Sequence, residues 1–237
     1  INKSDVVTSV SQSLKDDTLK LLAVEKEIQV IPNFIELEKN TEDSSIPCRR
    51  SVIAKEDQFI LTHISNFRPV KRIADVVKIF NLVQQQMPAK LMMVGDGPDR
   101  AVAEKMCDEL GISDKVIFFG NSNEIDRILS YTDLFLLPSE TESFGLAALE
   151  AMVWKIPVIS SNSGGLPEVN YNGISGYLSD VGNIEEMAQN AIKILQSPEI
   201  FKQFKENALE VAKKFDIKNI LPLYENLYQQ AINEFKK

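Results

Sequence analysis

Two carboxylates and a short basic cluster carry most of the chemistry that this sequence can perform. Glu142 stands immediately before Ser143, Phe144, Gly145 and Leu146, and Glu150 follows eight residues later in an Ala- and Leu-rich run. The apolar run Leu134, Phe135, Leu136, Leu137 ahead of them reads as a buried strand that Pro138 and Ser139 stop, so that Ser143, Phe144 and Gly145 open a helix. Eight helical residues amount to about 12 Å along the axis and about 80° around it, which lets both carboxylates reach one ligand laid across the helix start. That start offers unpaired N–H groups and a partial positive charge, a setting that suits phosphate. Carboxylates accept hydrogen bonds from hydroxyls, so a sugar on one side and a ribose on the other would satisfy both. The ligand so described is a sugar nucleotide; the plainer alternative is an acidic helix-start residue at Glu142 and a solvated helix residue at Glu150.

The cations are Arg68, Lys71 and Arg72, three within five residues. They sit in the loop between an apolar strand starting at Phe59 and a helix over residues 73–86, whose apolar positions 73, 76, 77, 79, 80 and 83 form one stripe. Arg offers a bidentate fork and Lys a point charge, and a basic loop at the carboxyl end of a strand is placed for a diphosphate. A solvated basic loop is the plainer alternative.

The blocks Glu142-Ser143-Phe144-Gly145-Leu146, Glu150-Ala151-Met152, Pro157-Val158-Ile159 and Gly164-Gly165-x-Pro167-Glu168 resemble, in order and spacing, the donor-site signature of family-4-type retaining glycosyltransferases of the GT-B fold. The resemblance extends from about Ile60 to Tyr177. It implies the C-terminal, donor-binding half of that fold, with Glu142 on the sugar hydroxyls and Glu150 on the ribose. Lys71, Arg68 and the N–H groups near Ser143, Phe144, Gly145 and Leu146 would meet the diphosphate, and the backbone at Gly120 and Asn121 would meet the base. It further implies front-face substitution with retained configuration and a UDP-sugar donor as substrate, with no cofactor and no metal required. The family's Arg-x4-Lys pair is only half matched: Lys71 fits, Asn66 stands where the Arg belongs, and Arg68 is offset by two. The wording Asn66-Phe67-Arg68-x-Val70-Lys71-Arg72 is similar to the branch serving bacillithiol biosynthesis, which moves N-acetylglucosamine from its UDP form to L-malate. A non-catalytic nucleotide-sugar-binding module of the same fold is the alternative. A receiver-like signalling domain would need clustered acids where Thr62 and His63 end the first strand.

Composition bounds these readings. The chain has 237 residues, 44% of them hydrophobic, enough for one or two folded domains. Its 34 acidic and 26 basic residues leave a net charge of −8, which argues against a nucleic-acid surface. Cys48 and Cys107 form no CxxC pair, and His63 is the only histidine, so neither a disulfide framework nor a protein-built metal site is implied. With no long apolar run and no signal-peptide pattern, the expected compartment is cytoplasmic; homo-oligomerisation stays open.

Strand and helix patterns alternate from residue 59 to about 214, as in a doubly wound, Rossmann-like parallel sheet. Residues 1–35 read as the last strand–helix unit of a largely absent N-terminal domain, with Ser11 and Ser13 available to cap a helix over residues 12–24. Residues 36–57 read as a linker, disordered around Glu42, Asp43, Ser44 and Ser45. Residues 58–214 form the nucleotide-sugar domain and residues 215–237 a crossover helix that leaves some apolar surface exposed. Within the domain, Gly95 and Gly97 mark a turn rather than a dinucleotide fingerprint, since Arg100 replaces its third glycine. A helix over residues 104–110 stops at Gly111, and Asn123 caps a short helix running to Tyr131. His63 reads as a satisfied core residue, Trp154 as a packing residue, and Glu168 as a helix-start residue rather than an acid catalyst. Lys155, where the family has Gly, costs about 1 kcal/mol in a left-handed cap position.

Overall fold

The computed structural model describes residues 1–37 and 50–235. Strand β1 (Val7–Ser9), helix α1 (Gln12–Leu21) and strand β2 (Ile28–Val30) form a parallel strand–helix–strand unit with Val7 opposite Ile28. Ser11 caps α1 by accepting the Leu14 N–H, as its position in the sequence suggests, whereas Ser13 lies inside the helix. The helix ends at Leu21 rather than at residue 24, because Leu22 turns extended and no residue of α1 is buried to carry the helix further.

Helix α2 (Arg50–Ile53) follows, then β3 (Phe59–Ile64), α3 (Ile73–Gln84), β4 (Ala89–Val94), α4 (Arg100–Glu109), β5 (Val116–Gly120) and α5 (Ile125–Leu129). The chain continues through β6 (Leu134–Leu137), α6 (Leu146–Val153), β7 (Val158–Ser161), α7 (Leu166–Val169) and β8 (Gly176–Ser179), and ends in α8 (Ile184–Leu195), α9 (Pro198–Ala212) and α10 (Ile217–Phe235). Within the stretch read as a linker, residues from 50 onward dock on the sheet domain. The Arg50 guanidinium donates to the carbonyls of Tyr131 and Gln58 and to the Asp133 carboxylate at 2.7–2.8 Å. Glu42, Asp43, Ser44, Ser45 and Cys48 lie outside the described residues.

Strands β3 to β8 build one six-stranded parallel sheet in the order β5-β4-β3-β6-β7-β8. This is the doubly wound, Rossmann-like arrangement expected from the sequence. Both faces are covered, which is why the strands are continuous apolar runs rather than alternating ones. Alternate side chains divide between two cores: Leu134 and Leu136 face the α3 and α8 side with Leu61, Leu91 and Met93, while Phe135 and Leu137 face α6. Helix α3 buries the stripe read from its sequence, Ile73, Val76, Val77, Ile79, Phe80 and Val83. At about 1.5–3 kcal/mol for each large side chain, this seam anchors the first crossover.

Other boundaries also differ from the sequence reading. Helix α4 begins at Arg100, not 104, and α5 begins at Ile125 with Glu124 in the cap position. Asn123 makes no cap; the Ser122 hydroxyl instead accepts the Glu124 N–H at 3.1 Å. Lys155 does adopt the left-handed conformation, φ 58°, just beyond α6. Helix α10 returns to the N-terminal unit, where Ile220 and Leu227 bury Ile31. Leu221, Leu223, Tyr228 and Ile232 of α10, and Leu14, Leu19 and Leu21 of α1, remain exposed.

Candidate functional site

The strand order reverses between β3 and β6, and a crevice outside the carboxyl ends of such a pair is where ligands bind in open α/β sheets. Two loops meet there. The Glu140 N–H donates to the Val70 carbonyl at 2.8 Å, which fastens the loop after β6 to the turn carrying Lys71. A third loop presses on them from β7. The Gly165 N–H donates to the Glu142 carbonyl at 2.7 Å, and a Cβ on Gly164 would lie 2.2 Å from that same oxygen. The paired glycines therefore exist for loop-to-loop contact, bringing backbone against backbone where any side chain would intervene.

This buttressing sets Glu142 against Lys71. The ammonium donates to Glu142 Oε1 at 2.6 Å, and the Ser139 hydroxyl donates to the same oxygen at 2.9 Å. Among the described residues Oε2 has no partner, so it remains able to accept from a ligand hydroxyl. Lys71 has two further N–H donors beyond the one given to Glu142. Phe144 is buried edge-to-face on Phe215, ring centroids 5.6 Å apart, which pins the start of α6. Gly145 has φ 99° and precedes the helix. Among the described residues, the N–H groups of Phe144, Gly145 and Leu146 donate to nothing, the condition that an anion at a helix start requires.

Glu150, one turn further along α6, is half-buried and carries no cation partner among the described residues. Burial, and secondarily the Asp126 carboxylate, push its carboxyl above the ordinary value. Lys71, Glu142, Gly145, Leu146 and Glu150 line one cavity of about 390 Å³, together with Ser65 and Asn66. Ser65 and Asn66 also line a neighbouring hollow of about 200 Å³ that contains Asn121, Ser122 and Gly95. A larger hollow of about 720 Å³ lies elsewhere, between α9 and the end of α6, and contains none of these carboxylates.

The remaining sequence candidates fall outside that cavity. Arg68 is exposed and does not line it, and Arg72 pairs with Asp75 in the first turn of α3. The basic cluster therefore contributes one cation, Lys71. Ser143 turns its carbonyl to the Ser11 hydroxyl at 2.6 Å, and Gly120 accepts the Gly95 N–H at 2.8 Å. Glu168 stands in the first turn of α7, as read, but its carboxylate also accepts the Gln12 and Ser13 N–H groups at 2.8 and 2.9 Å, capping α1 across the fold. Trp154 packs against the second core and reaches Asp126 at 3.4 Å. His63 is fully buried with both ring nitrogens bonded. Sequence reasoning missed Ser139, Ser65 and Asn66; the available signal was their place directly after β6 and β3. Cys107 is a buried free thiol pushed up to about 11 by burial. Among the described residues no metal-binding cluster occurs, and no helix is long and apolar enough to cross a membrane.

Residues 47–211 match the family described as Glycosyl transferases group 1. Over 237 residues, all of this chain and 62% of the relative, the sequence is 39% identical to the N-acetyl-alpha-D-glucosaminyl L-malate synthase of Bacillus anthracis. It is 27% identical over 192 residues, 78% of this chain and 49% of the relative, to the 2-deoxystreptamine N-acetyl-D-glucosaminyltransferase of Niallia circulans. The fold matches Anabaena HepE, solved in complex with UDP-glucose, with TM-score 0.87 and 24% identity over 96% of this chain and 65% of that one. It also matches sucrose-phosphate synthase from Thermosynechococcus elongatus, with TM-score 0.87 and 23% identity over 98% of this chain and 60% of that one. The chain spans about three-fifths of the length of the curated relatives that it matches from end to end. Its parallel sheet, its switch-point cavity and this match over most of its length identify the chain as a member of the group 1 glycosyl transferases, folded as the C-terminal half of a GT-B structure.

Proposed function

We propose that this chain supplies the donor site of a retaining glycosyltransferase that moves N-acetylglucosamine from UDP-N-acetylglucosamine to a small hydroxyl acceptor such as L-malate. The observation that carries the reading is the single cavity in which Lys71, Glu142, Glu150 and the unpaired N–H groups of α6 converge. Glu142 Oε2 takes a sugar hydroxyl and Glu150 the ribose. Lys71 gives its spare N–H donors to the diphosphate, and the Phe144, Gly145 and Leu146 N–H groups complete its charge stabilisation as the leaving group departs, with no metal required. The acceptor oxygen forms its bond to the anomeric carbon on the face from which the diphosphate leaves, and the acceptor proton passes to the departing phosphate oxygen. The 39% identity to the malate-using relative supports the choice of sugar and acceptor.

Calorimetric titration of UDP and UDP-N-acetylglucosamine tests the donor site. Binding to the wild-type chain is expected to weaken at least tenfold in both Lys71→Ala and Glu150→Ala, since a hydrogen bond to a charged group contributes about 1.5–3 kcal/mol. Folded protein with no affinity for either ligand would favour a non-catalytic module of the same fold.

A further inference from the structure

His63 is a buried titratable group for which the donor-site reading has no role, and its two hydrogen bonds fix the polarity of a third group, the hydroxyl of a residue that lines the ligand cavity. Its Nδ1 lies 2.8 Å from the Leu136 carbonyl oxygen, which only accepts, so Nδ1 carries the ring proton. The ring is fully buried, and desolvation holds it down to about 4, opposed by the Leu136 bond and aided by the Lys71 charge. It therefore carries one proton, and Nε2 presents a lone pair to Ser65 Oγ at 2.7 Å. The Ser65 hydroxyl has one hydrogen and two candidate acceptors, since the Asn66 carbonyl is 3.2 Å away. Donation to Asn66 would set two lone pairs against each other at the shorter contact, so the hydrogen points to His63.

The consequence lies on the other side of the oxygen. Ser65 lines both the cavity of Glu142 and Glu150 and the neighbouring hollow of Asn121. Its backbone is clamped there: its N–H donates to Val94 at 3.1 Å, and a Cβ on Gly95 would sit 1.8 Å from its carbonyl oxygen. At the junction of the two spaces Ser65 Oγ therefore offers lone pairs only. A phosphate oxygen, which also only accepts, is repelled there, whereas an O–H or N–H is welcomed.

We propose that Ser65 is a specificity-determining residue whose Oγ, held as an acceptor by the positioning residue His63, takes one hydrogen bond from the donor's nucleoside, from a ribose hydroxyl or from a base N–H. This rests on the donor-site reading above. The shared chemistry is a single donor hydrogen on the nucleoside, and analogues distinguish its two sources.

The test is calorimetry of UDP, 2′-deoxy-UDP, 3′-deoxy-UDP and N3-methyl-UDP with the wild-type chain, Ser65→Ala and Ser65→Thr. Ser65→Ala is expected to weaken UDP about five- to tenfold, the fold-change of one ordinary hydrogen bond. Ser65→Thr, which keeps the hydroxyl, restores affinity to within about twofold of wild type by the same measure. One analogue, the one lacking the bonded hydrogen, loses less in Ser65→Ala than in wild type by the same factor, a selective coupling that a merely structural role would not produce. His63→Phe reproduces the Ser65→Ala loss without adding to it in the double variant; if it fails to fold, the serine variants and analogues decide. UDP binding that is weakened by Glu150→Ala but indifferent to Ser65→Ala, or a Ser65→Ala loss equal for every analogue, overturns this proposal alone. Absence of UDP binding overturns the donor-site reading and this proposal with it.

Discussion

The two carboxylates of the cavity are held in opposite ways. Glu142 meets a cation and a hydroxyl before any ligand arrives, on a loop braced by Val70, Gly164 and Gly165. Glu150 has no cation partner among the described residues, faces the Asp126 charge, and is pushed toward its neutral form. Glu142 is thus positioned at little electrostatic cost, whereas Glu150 carries desolvation that a ligand hydroxyl would relieve. If Glu142 orients the sugar and Glu150 grips the ribose, as proposed, the first gains from rigidity and the second can store a small penalty until binding.

The harshest way to break this contrast leaves both charges in place. Gly164→Ala forces a Cβ into the Glu142 backbone at a residue with φ 59°, and is expected to destabilise the fold by about 3 kcal/mol or more in chemical denaturation. The smaller cavity change sharpens the contrast. Glu142→Gln releases Lys71 and replaces a charged acceptor by a neutral amide, so calorimetric affinity for UDP should stay within about twofold while affinity for the UDP-sugar falls about tenfold, the cost of one hydrogen bond to a charged group.

Glu150→Gln probes the unpaired corner through pH. Because the folded-state pKa of Glu150 is raised above its ordinary 4.5, its contribution to stability is fully present below that value and is lost as pH rises through the folded pKa. The glutamine variant should therefore melt at a higher temperature than wild type at pH 7, with the difference vanishing toward pH 3; an equal offset at both pH values would refute the assignment. The smallest effect belongs outside both corners. Lys155→Gly relieves the left-handed strain beyond α6 and should add about 1 kcal/mol of stability with no change in UDP affinity.

Much of the scaffold was legible in the residues themselves. Apolar runs such as Leu134 to Leu137 call for burial on both faces, which a parallel sheet covered by helices supplies, and the stripe from Ile73 to Val83 dictates how α3 lies on it. Caps were less legible. Ser11 does cap α1, but no side chain caps α5: Glu124 holds the cap position and its own N–H goes to the Ser122 hydroxyl, because the choice depends on how the chain leaves β5. Candidate site residues were recognisable by type and spacing at Glu142, Glu150 and Lys71, which one cavity unites.

The sequence by itself determined the strands and main helices of the sheet domain, the helix start that can face an anion, and the presence of two carboxylates near it, because these follow from local pattern and periodicity. Only the tertiary structure decided that Lys71 rather than Arg68 or Arg72 meets Glu142, that Glu168 caps α1, and that His63 aligns the Ser65 hydroxyl. The physical reason is the strand order: β3 and β6 are neighbours in space while 69 residues separate Ile64 from Leu134, so their loops meet by sheet topology and not by any spacing written along the chain.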